Sequence, residues 1–401
     1  MPELPRTAST VVVGGGIVGA AIAYFLADRG ETDVVVLEQG ALGCGSTRGG
    51  FGGIRHQFAD ELDVRLSIQS SAFWRDFASF TGSAHDFHPR GYLFLATTQE
   101  GLAELREPLP LYERLGVPVE IVDRIGIRDL VPGIRVDDLA GGRYCARDGY
   151  GDPLQALAGF ASSAVLEGVR FIEGCAVESV LREGDRVVGV RAAGQDIATG
   201  RVMLATGAWT APLAATAGVR VPIWPYRRSI LEARSVPVFA RIPLTLEWET
   251  GFHFRPWGAS LQRIAVPNLR PDGSIEREPS VPATFADPAF APLEVPAALY
   301  RWARERAAWR HPLLGAVEFT DAWSCHYEMT PDHHPVVGAV PGVAGLHVAA
   351  GFSGHGFMHA PAIGQLAAEE MLDGVATTLD ISDLSLARFE KGGSAFTHTV
   401  L

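Results

Sequence analysis

The sequence predicts an α/β chain of two domains: a Rossmann-like dinucleotide-binding domain and a second domain built on a mixed, largely antiparallel sheet. Three observations carry this. A Gly14-x-Gly16-x-x-Gly19 turn lies between a β-branched run and an alanine-rich run, the strand–turn–helix context that a dinucleotide-binding unit requires. Residues 221–320 carry many prolines and several short strand-like runs, as a separate antiparallel layer does. The 401 residues also exceed the size at which one hydrophobic core usually stops growing.

Taken in order, residues 10–38 read strand, turn, helix, strand, with the helix ending near Gly30 and the second strand closing on Glu38. The glycine- and serine-rich "GALGCGSTRGGFGGIRH" is too irregular for a regular element. Residues 62–80 suit one helix, because Leu62, Leu66, Phe73 and Phe77 recur near helical spacing, and "GYLFLAT" suits a strand. Asp152 is placed to cap a helix with Pro153 in its first turn. The segment from "VRFIEGCAVESV" to "RVMLATGAW" reads as short strands with Gly-Asp and Gly-Gln turns, a meander. Strands follow at "SILEA", "LTLEWE", "GFHFRP" and "LQRIAVP", then an amphipathic helix near 293–309. The chain ends with the strand "GLHVAAG" and a helix around "APAIGQLAAEEMLDG". On this pattern residues 1–82, 140–220 and 321–401 form the dinucleotide-binding domain, and 83–139 with 221–320 form the second.

Composition narrows the function. Hydrophobic residues make up 47% and charged residues 20%, an ordinary globular balance. A formal charge of −12 argues against a nucleic-acid surface, since phosphate binding needs the opposite field. The four cysteines form no C-x-x-C pair and are too sparse for a disulfide scaffold, so a reducing cytoplasm is expected. "MPELPRTAST" lacks the features of a secretory signal. Thr10 to Ala27 carries no charge but is glycine-interrupted, so a buried strand and helix are expected there and no membrane span. Lys391 is the only lysine, so chemistry that needs a buried lysine has no source.

The chemistry begins at the glycine turn. Gly14 permits the turn, Gly16 lets a pyrophosphate approach the backbone, and Gly19 lets the helix pack on its strand. The helix N-terminus offers N–H groups to the phosphates. Glu38 lies nineteen residues after Gly19, near the spacing of the acid that binds a ribose and repels a 2′-phosphate. A nicotinamide domain usually continues with further β-α units, whereas this chain breaks into the glycine loop 40–53. The run "AWSCHYEMTPDHHPVVG" looks at first like a metal site, but it lacks a recognised ligand spacing, and no metal is expected.

In colinear order, "VVVGGGIVGAAIAYFLADRG…VVVLEQG", "GSTRGG…IRHQF", "DGYGDP", "GCAVESV", "LATGAW", "PYR", "CHYEMTPDHHPVVG" and "AAGFSGHGFMHAP" resemble the D-amino-acid-oxidase-type flavoproteins, and within them the sarcosine oxidase branch. The resemblance implies a two-domain FAD protein. It assigns Gly14, Gly16, Ile17, Val18, Gly19 and Glu38 to the ADP-binding motif and Val177 to the adenine. Ala205, Gly207 and Trp209 belong to the second FAD motif, and Ser46, Thr47 and Arg48 to the loop leading from the pyrophosphate to the flavin ring. Gly354, His355, Gly356, Phe357 and Met358 match a C-terminal loop against the flavin's pyrimidine side.

The same resemblance makes Arg55 the substrate-carboxylate arginine and puts His253 and Phe254 on the substrate cavity. It implies oxidation of sarcosine or a related N-alkyl or cyclic amino acid by hydride transfer to flavin N5. Imine hydrolysis and reoxidation by oxygen to hydrogen peroxide would follow. Two positions depart from the pattern. Met358 stands where a second basic residue is usual, and Gln262 or Arg263 stands near the place of an oxygen-activating lysine. A dehydrogenase passing electrons to a quinone or partner protein is the alternative; a flavin-binding subunit without turnover is a third reading. Cys325 falls in the "C-x-Y-x-x-T-x-D" frame whose cysteine is bonded to the flavin 8α carbon in the sarcosine oxidase branch, so covalent FAD is expected and the neighbouring histidines are bystanders.

Overall fold

The structure, a computed structural model, describes residues 3–234, 239, 241–258, 261–270, 272–276, 294–315 and 317–390. The expectations that fall on Lys391, on the rest of the tail to 401 and on residue 293 lie outside the described residues. A six-stranded sheet runs in the order Val336–Ala339, Leu346–Ala350, Val202–Leu204, Thr10–Val13, Val34–Leu37, Arg170–Ile172. Its neighbours are parallel except the first pair. Val12, Val34 and Val36 point into one core, and Val11, Val13, Val35 and Leu37 into another. A sheet covered on both faces needs apolar side chains at every position, which is why these strands read as unbroken valine runs. Each buried valine contributes about 1.5–3 kcal/mol relative to exposure.

Helix Ile17–Asp28 packs between Pro153–Leu166 and Gly356–Asp373, and every residue from Ile17 to Ala27 is buried. Its lack of charge therefore reflects a protein environment on all sides. Asp152 caps Pro153–Leu166 as expected, accepting from the Leu154 and Gln155 amides. The expected helix at 62–80 is two helices, Glu61–Arg75 and Phe77–Thr81, because Asp76 leaves helical geometry between them. The meander Val177–Glu183, Arg186–Ala192, Gln195–Ala198 covers the second face of the sheet.

The second sheet has eight strands in the order Phe319–Met329, Trp224–Arg234, Leu261–Val266, His253–Trp257, Leu244–Glu247, Tyr92–Ala96, Gly141–Cys145, Val119–Val122. Only Leu244–Glu247 beside Tyr92–Ala96 is parallel. Residues 141–145 and 321–329, which the sequence pattern gave to the dinucleotide-binding domain, hydrogen-bond in this sheet; alternation identifies a strand but not its partner. Helix Ala297–Arg310 covers the outer face through Leu299, Ala303 and Ala307. It is tied down by Arg306 and Arg310 on the buried carboxylate of Glu247.

Candidate active site

A cavity of about 830 Å³ opens between the two sheets, within the size range of small-molecule and cofactor sites. Gly14 turns with φ +107°, and a Cβ there would lie 2.3 Å from the Ala205 carbonyl. Gly19 lies behind the wall, where a Cβ would be 2.0 Å from the Gly14 carbonyl. Gly16 differs: a Cβ there would meet only Thr47 Oγ1, at 3.3 Å, and otherwise the cavity. Gly16 caps helix Ile17–Asp28 without a side chain of its own. Thr47 Oγ1 accepts the Ile17 amide at 3.0 Å, and Ile17 and Val18 line the cavity. The helix thus presents its positive end to the space.

Glu38 also lines the cavity, its carboxylate accepting the Gly15 amide at 2.7 Å and the Gly40 amide at 2.8 Å. Ser46, Val177, Ala205, Gly207 and Trp209 stand on the same wall. Ser46 Oγ donates to the His326 carbonyl at 2.6 Å. Arg48 is exposed and outside the wall, a correction to its expected place: the short helix Ser46–Gly49 turns it outward. Glu328, which no motif singled out, lines the cavity beside Gly207. Burial pushes its carboxyl up to about 7, against the pull of the Phe352 and Gly351 amides, and its Oε2 has no hydrogen-bond partner among the described residues. An orphaned carboxyl oxygen, a bare Gly16 and a helix N-terminus suit a long occupant carrying hydroxyls and phosphates.

The second face of the cavity is a stretch of the eight-stranded sheet. Antiparallel pairing sets Tyr226 opposite Tyr327, Arg228 opposite Cys325, and Ile230 opposite Trp323, so these side chains share one face. Arg228, Ile230, Ala265, His253, Leu246 and Tyr92 line the cavity, with Tyr327 beside them. His253 stands where expected; Phe254, one residue on, lies beneath the sheet in the outer core. Burial pushes the His253 imidazole down to about 4, helped by Arg228, Arg55 and Arg255 and opposed by the Gly251 carbonyl. The neutral ring donates from Nδ1 to that carbonyl at 2.9 Å, leaving Nε2 as an acceptor.

Arg55 is 4% exposed. It follows the short strand Gly53–Ile54, which pairs with Gly149–Tyr150. The next residue, His56, locks the backbone: its amide and Nδ1 reach Asp148 at 3.0 and 2.6 Å, and Nε2 meets Ser71 at 2.9 Å. The Arg55 guanidinium lies over Phe58, Phe94 and Tyr92, 4.4, 5.3 and 5.8 Å from their centroids. Its Nη2 donates to His355 Nε2 at 3.3 Å. Arginine has no acceptor, so His355 carries its proton on Nδ1; burial first, then Arg55, holds this imidazole well below its usual range. Gly354 is pressed against Tyr327, whose ring a Cβ would meet at 2.3 Å. Gly356, Phe357 and Met358 line the cavity, but as the first turn of helix Gly356–Asp373 rather than as a loop.

Two expected residues stand behind the wall. Arg263 lies under the glycine loop, its Nη1 donating to the Gly50 carbonyl at 3.3 Å and its guanidinium 3.3 Å from the Trp257 centroid. Its neighbour Arg255 donates to the Phe51 carbonyl at 2.6 Å. The pair therefore anchors the loop, and the residues of strand Leu261–Val266 that line the cavity are Ala265 and Val266. Gln262 points to the opposite face, since residues alternate. Cys325 Sγ donates to the Gly49 carbonyl at 3.4 Å and is not part of the wall. Burial pushes its thiol up to about 12.

The run around Cys325 separates in space. His326 lines the cavity, Asp332 pairs with Arg388 at 2.8 Å, and His334 pairs with Asp63 at 2.9 Å. These histidines thus have definite roles, which spacing did not disclose. Arg228, Tyr92, Tyr327 and Glu328 were also missed; strand parity around "PYRRS" and "CHY" was the available signal, but it needs the register to be read.

The FAD dependent oxidoreductase family matches residues 9–370. A 4-methylaminobutanoate oxidase (formaldehyde-forming) of Paenarthrobacter nicotinovorans is 31% identical over 395 residues, 96% of this chain and 46% of that protein. Mitochondrial sarcosine dehydrogenase of Mus musculus is 27% identical over 378 residues, 92% of this chain and 40% of that protein. The chain thus spans less than half the length of these two relatives. Among solved structures, L-proline dehydrogenase from P. horikoshii aligns with a TM-score of 0.88 and 29% identity, covering 97% of this chain and 99% of that one.

Proposed function

The chain belongs to the FAD dependent oxidoreductase family, and from that membership we propose that it oxidises a small amino acid with a secondary amine, sarcosine or a related N-alkyl or cyclic amino acid. The observation that carries the reading is Arg55, a buried cation on the wall of a cavity whose other end suits FAD. A guanidinium fork fits a carboxylate bidentately and orients what is attached to it. The relatives named above act, by their names, on acids of this kind.

Bound in the cavity, the flavin supplies a two-electron acceptor for a hydride from the carbon beside the substrate nitrogen. Arg55 holds the carboxylate and, through it, the reacting carbon. Tyr92, Leu246, Ile230 and Tyr327 make the surroundings apolar, which favours the neutral amine that reacts. His253 Nε2 can accept a hydrogen bond from the amine N–H and so help to orient it, and orientation supplies much of the rate. The amides that open helix Gly356–Asp373 favour negative charge facing them.

In this reading molecular oxygen reoxidises the enzyme, giving hydrogen peroxide. A dehydrogenase reading draws on one observation, that Ala265 and Val266 rather than a cation line the cavity from their strand. A reducing cytoplasm is the proposed location, supported by four free cysteines; among the described residues no helix is long and apolar enough to cross a membrane. The test is anaerobic addition of sarcosine, N-methyl amino acids, proline, thioproline, glycine and D-alanine to the holoenzyme. Bleaching of the flavin band by secondary amino acids supports the reading; no bleaching by any of them overturns it. Stopped-flow reoxidation in air then separates oxidase from dehydrogenase, a slow return of the band excluding the former.

A further inference from the structure

Arg55 is not the only cation on the cavity wall. Arg228 lies in strand Trp224–Arg234, opposite Cys325 in register, on the face that meets the cavity. Its guanidinium is 5.1 Å from the Tyr226 centroid and 5.4 Å from that of Tyr327. Among the described residues it forms no ion pair with a carboxylate. The acids nearby are otherwise engaged. Glu276 accepts the Tyr226 hydroxyl at 2.7 Å, and Glu38 takes two backbone amides at the far end. Glu328 also lines the cavity, but it follows Tyr327 and opposes Pro225, so it leaves its strand on the side away from Arg228 and forms no ion pair with it. The two arginines act on one space: the His253 imidazole and the Tyr327 phenol each lie in the fields of both Arg228 and Arg55.

A cavity that anchors one carboxylate needs one arginine. A second cation left without a counter-ion in a partly desolvated wall is costly unless the ligand brings a second negative group. We propose that Arg228 is a second anion-binding point in the substrate cavity, and that the substrate class is dicarboxylic: an N-alkyl amino acid with one carboxylate on Arg55 and another on Arg228. The inference rests on the amine-oxidation reading for its chemistry but not for its binding test.

That test uses unreactive acids and the holoenzyme. Succinate and glutarate are titrated against butyrate, and the flavin difference spectrum reports each Kd. The expected result is at least about 10-fold tighter binding of the diacids, as one further charge-assisted contact gives. In Arg228→Met the diacid-to-monoacid ratio should collapse by a similar factor, and Arg228→Lys should recover part of it. FAD content and the ligand-free spectrum confirm that each variant is loaded. Diacids binding no tighter than butyrate, or a ratio unchanged in Arg228→Met, would overturn the assignment. So would an Arg228→Met variant whose only change is loss of FAD or a shifted ligand-free spectrum, which would place the arginine on the cofactor. Anaerobic reduction by N-methylaspartate and iminodiacetate against sarcosine then addresses the reaction. Tight diacid binding with no flavin reduction by any amine would refute amine oxidation while the anion site stands.

Discussion

Replacing Arg55 with methionine isolates the carboxylate contact. The side chain is 4% exposed and held over three aromatic rings with centroids at 4.4, 5.3 and 5.8 Å, so methionine, of similar reach, keeps the packing and removes the fork. Two charge-assisted hydrogen bonds to a carboxylate contribute about 1.5–3 kcal/mol each before desolvation is offset. A net loss of about 3 kcal/mol is therefore expected, roughly 100-fold in affinity. The assay is stopped-flow reduction of the holoenzyme under anaerobic conditions, fitted for a substrate Kd and a limiting rate. Arg55→Met should raise Kd about 100-fold for an acid, while a secondary amine without a carboxylate changes by about 2-fold at most. Arg55→Lys should recover part of the loss, because an ammonium keeps the charge without the planar fork. The His355 imidazole, relieved of its charged neighbour, should titrate closer to its ordinary range, since Arg55 is one cause of its depression. An acid Kd within about 3-fold of the parent, or an equal loss for the uncharged amine, would refute the role given to Arg55.

Other consequences can be checked as directly. Cys325 Sγ faces Gly49 rather than the cavity, so acid precipitation should leave the flavin colour in the supernatant; colour in the pellet would show that the sulfur reaches the flavin after all. Glu38→Ala removes the acceptor of two backbone amides and should weaken FAD retention by about 10-fold or more; unchanged FAD content after dialysis would count against Glu38 as part of the cofactor site. His334→Gln leaves Asp63 buried without its ion-pair partner and should cost about 3–5 kcal/mol of stability. Burial pushes His334 down, but Asp60 and Asp63 outweigh it and hold the imidazole up to about 10, from 6.5. A raised folded-state value means that this stabilisation is complete below 6.5 and is lost as pH rises towards about 10. Thermal melts across that range should show a decline that His334→Gln lacks; parallel slopes in the two proteins would refute the pairing.

Much of the dinucleotide half was legible from neighbours along the chain. The valine runs, the glycine turn, the Asp152 cap and Glu38 at its spacing from Gly19 are local instructions, and a strand, a turn and a helix read them within about thirty residues. Arg55 was legible through resemblance, because a motif carries its neighbours with it. The substrate wall was not. Arg263 and Arg228 are both arginines on strands of the same sheet, and chemistry alone does not separate them. Glu232 opposes Arg263 and lies on the same side of its strand as Arg228, so the two arginines share one face, and position along it puts the first on the cavity and the second under the glycine loop. His253 and Phe254 parted instead because successive residues of a strand point to opposite faces.

The sequence by itself determined the elements, the cofactor end and the family, because those depend on contacts close in the chain. Only the tertiary structure decided which side chains meet over the substrate, that Cys325 turns to Gly49, and that the last glycine loop opens a helix. The first two outcomes depend on pairings between residues far apart in the chain, which alternation permits but does not choose.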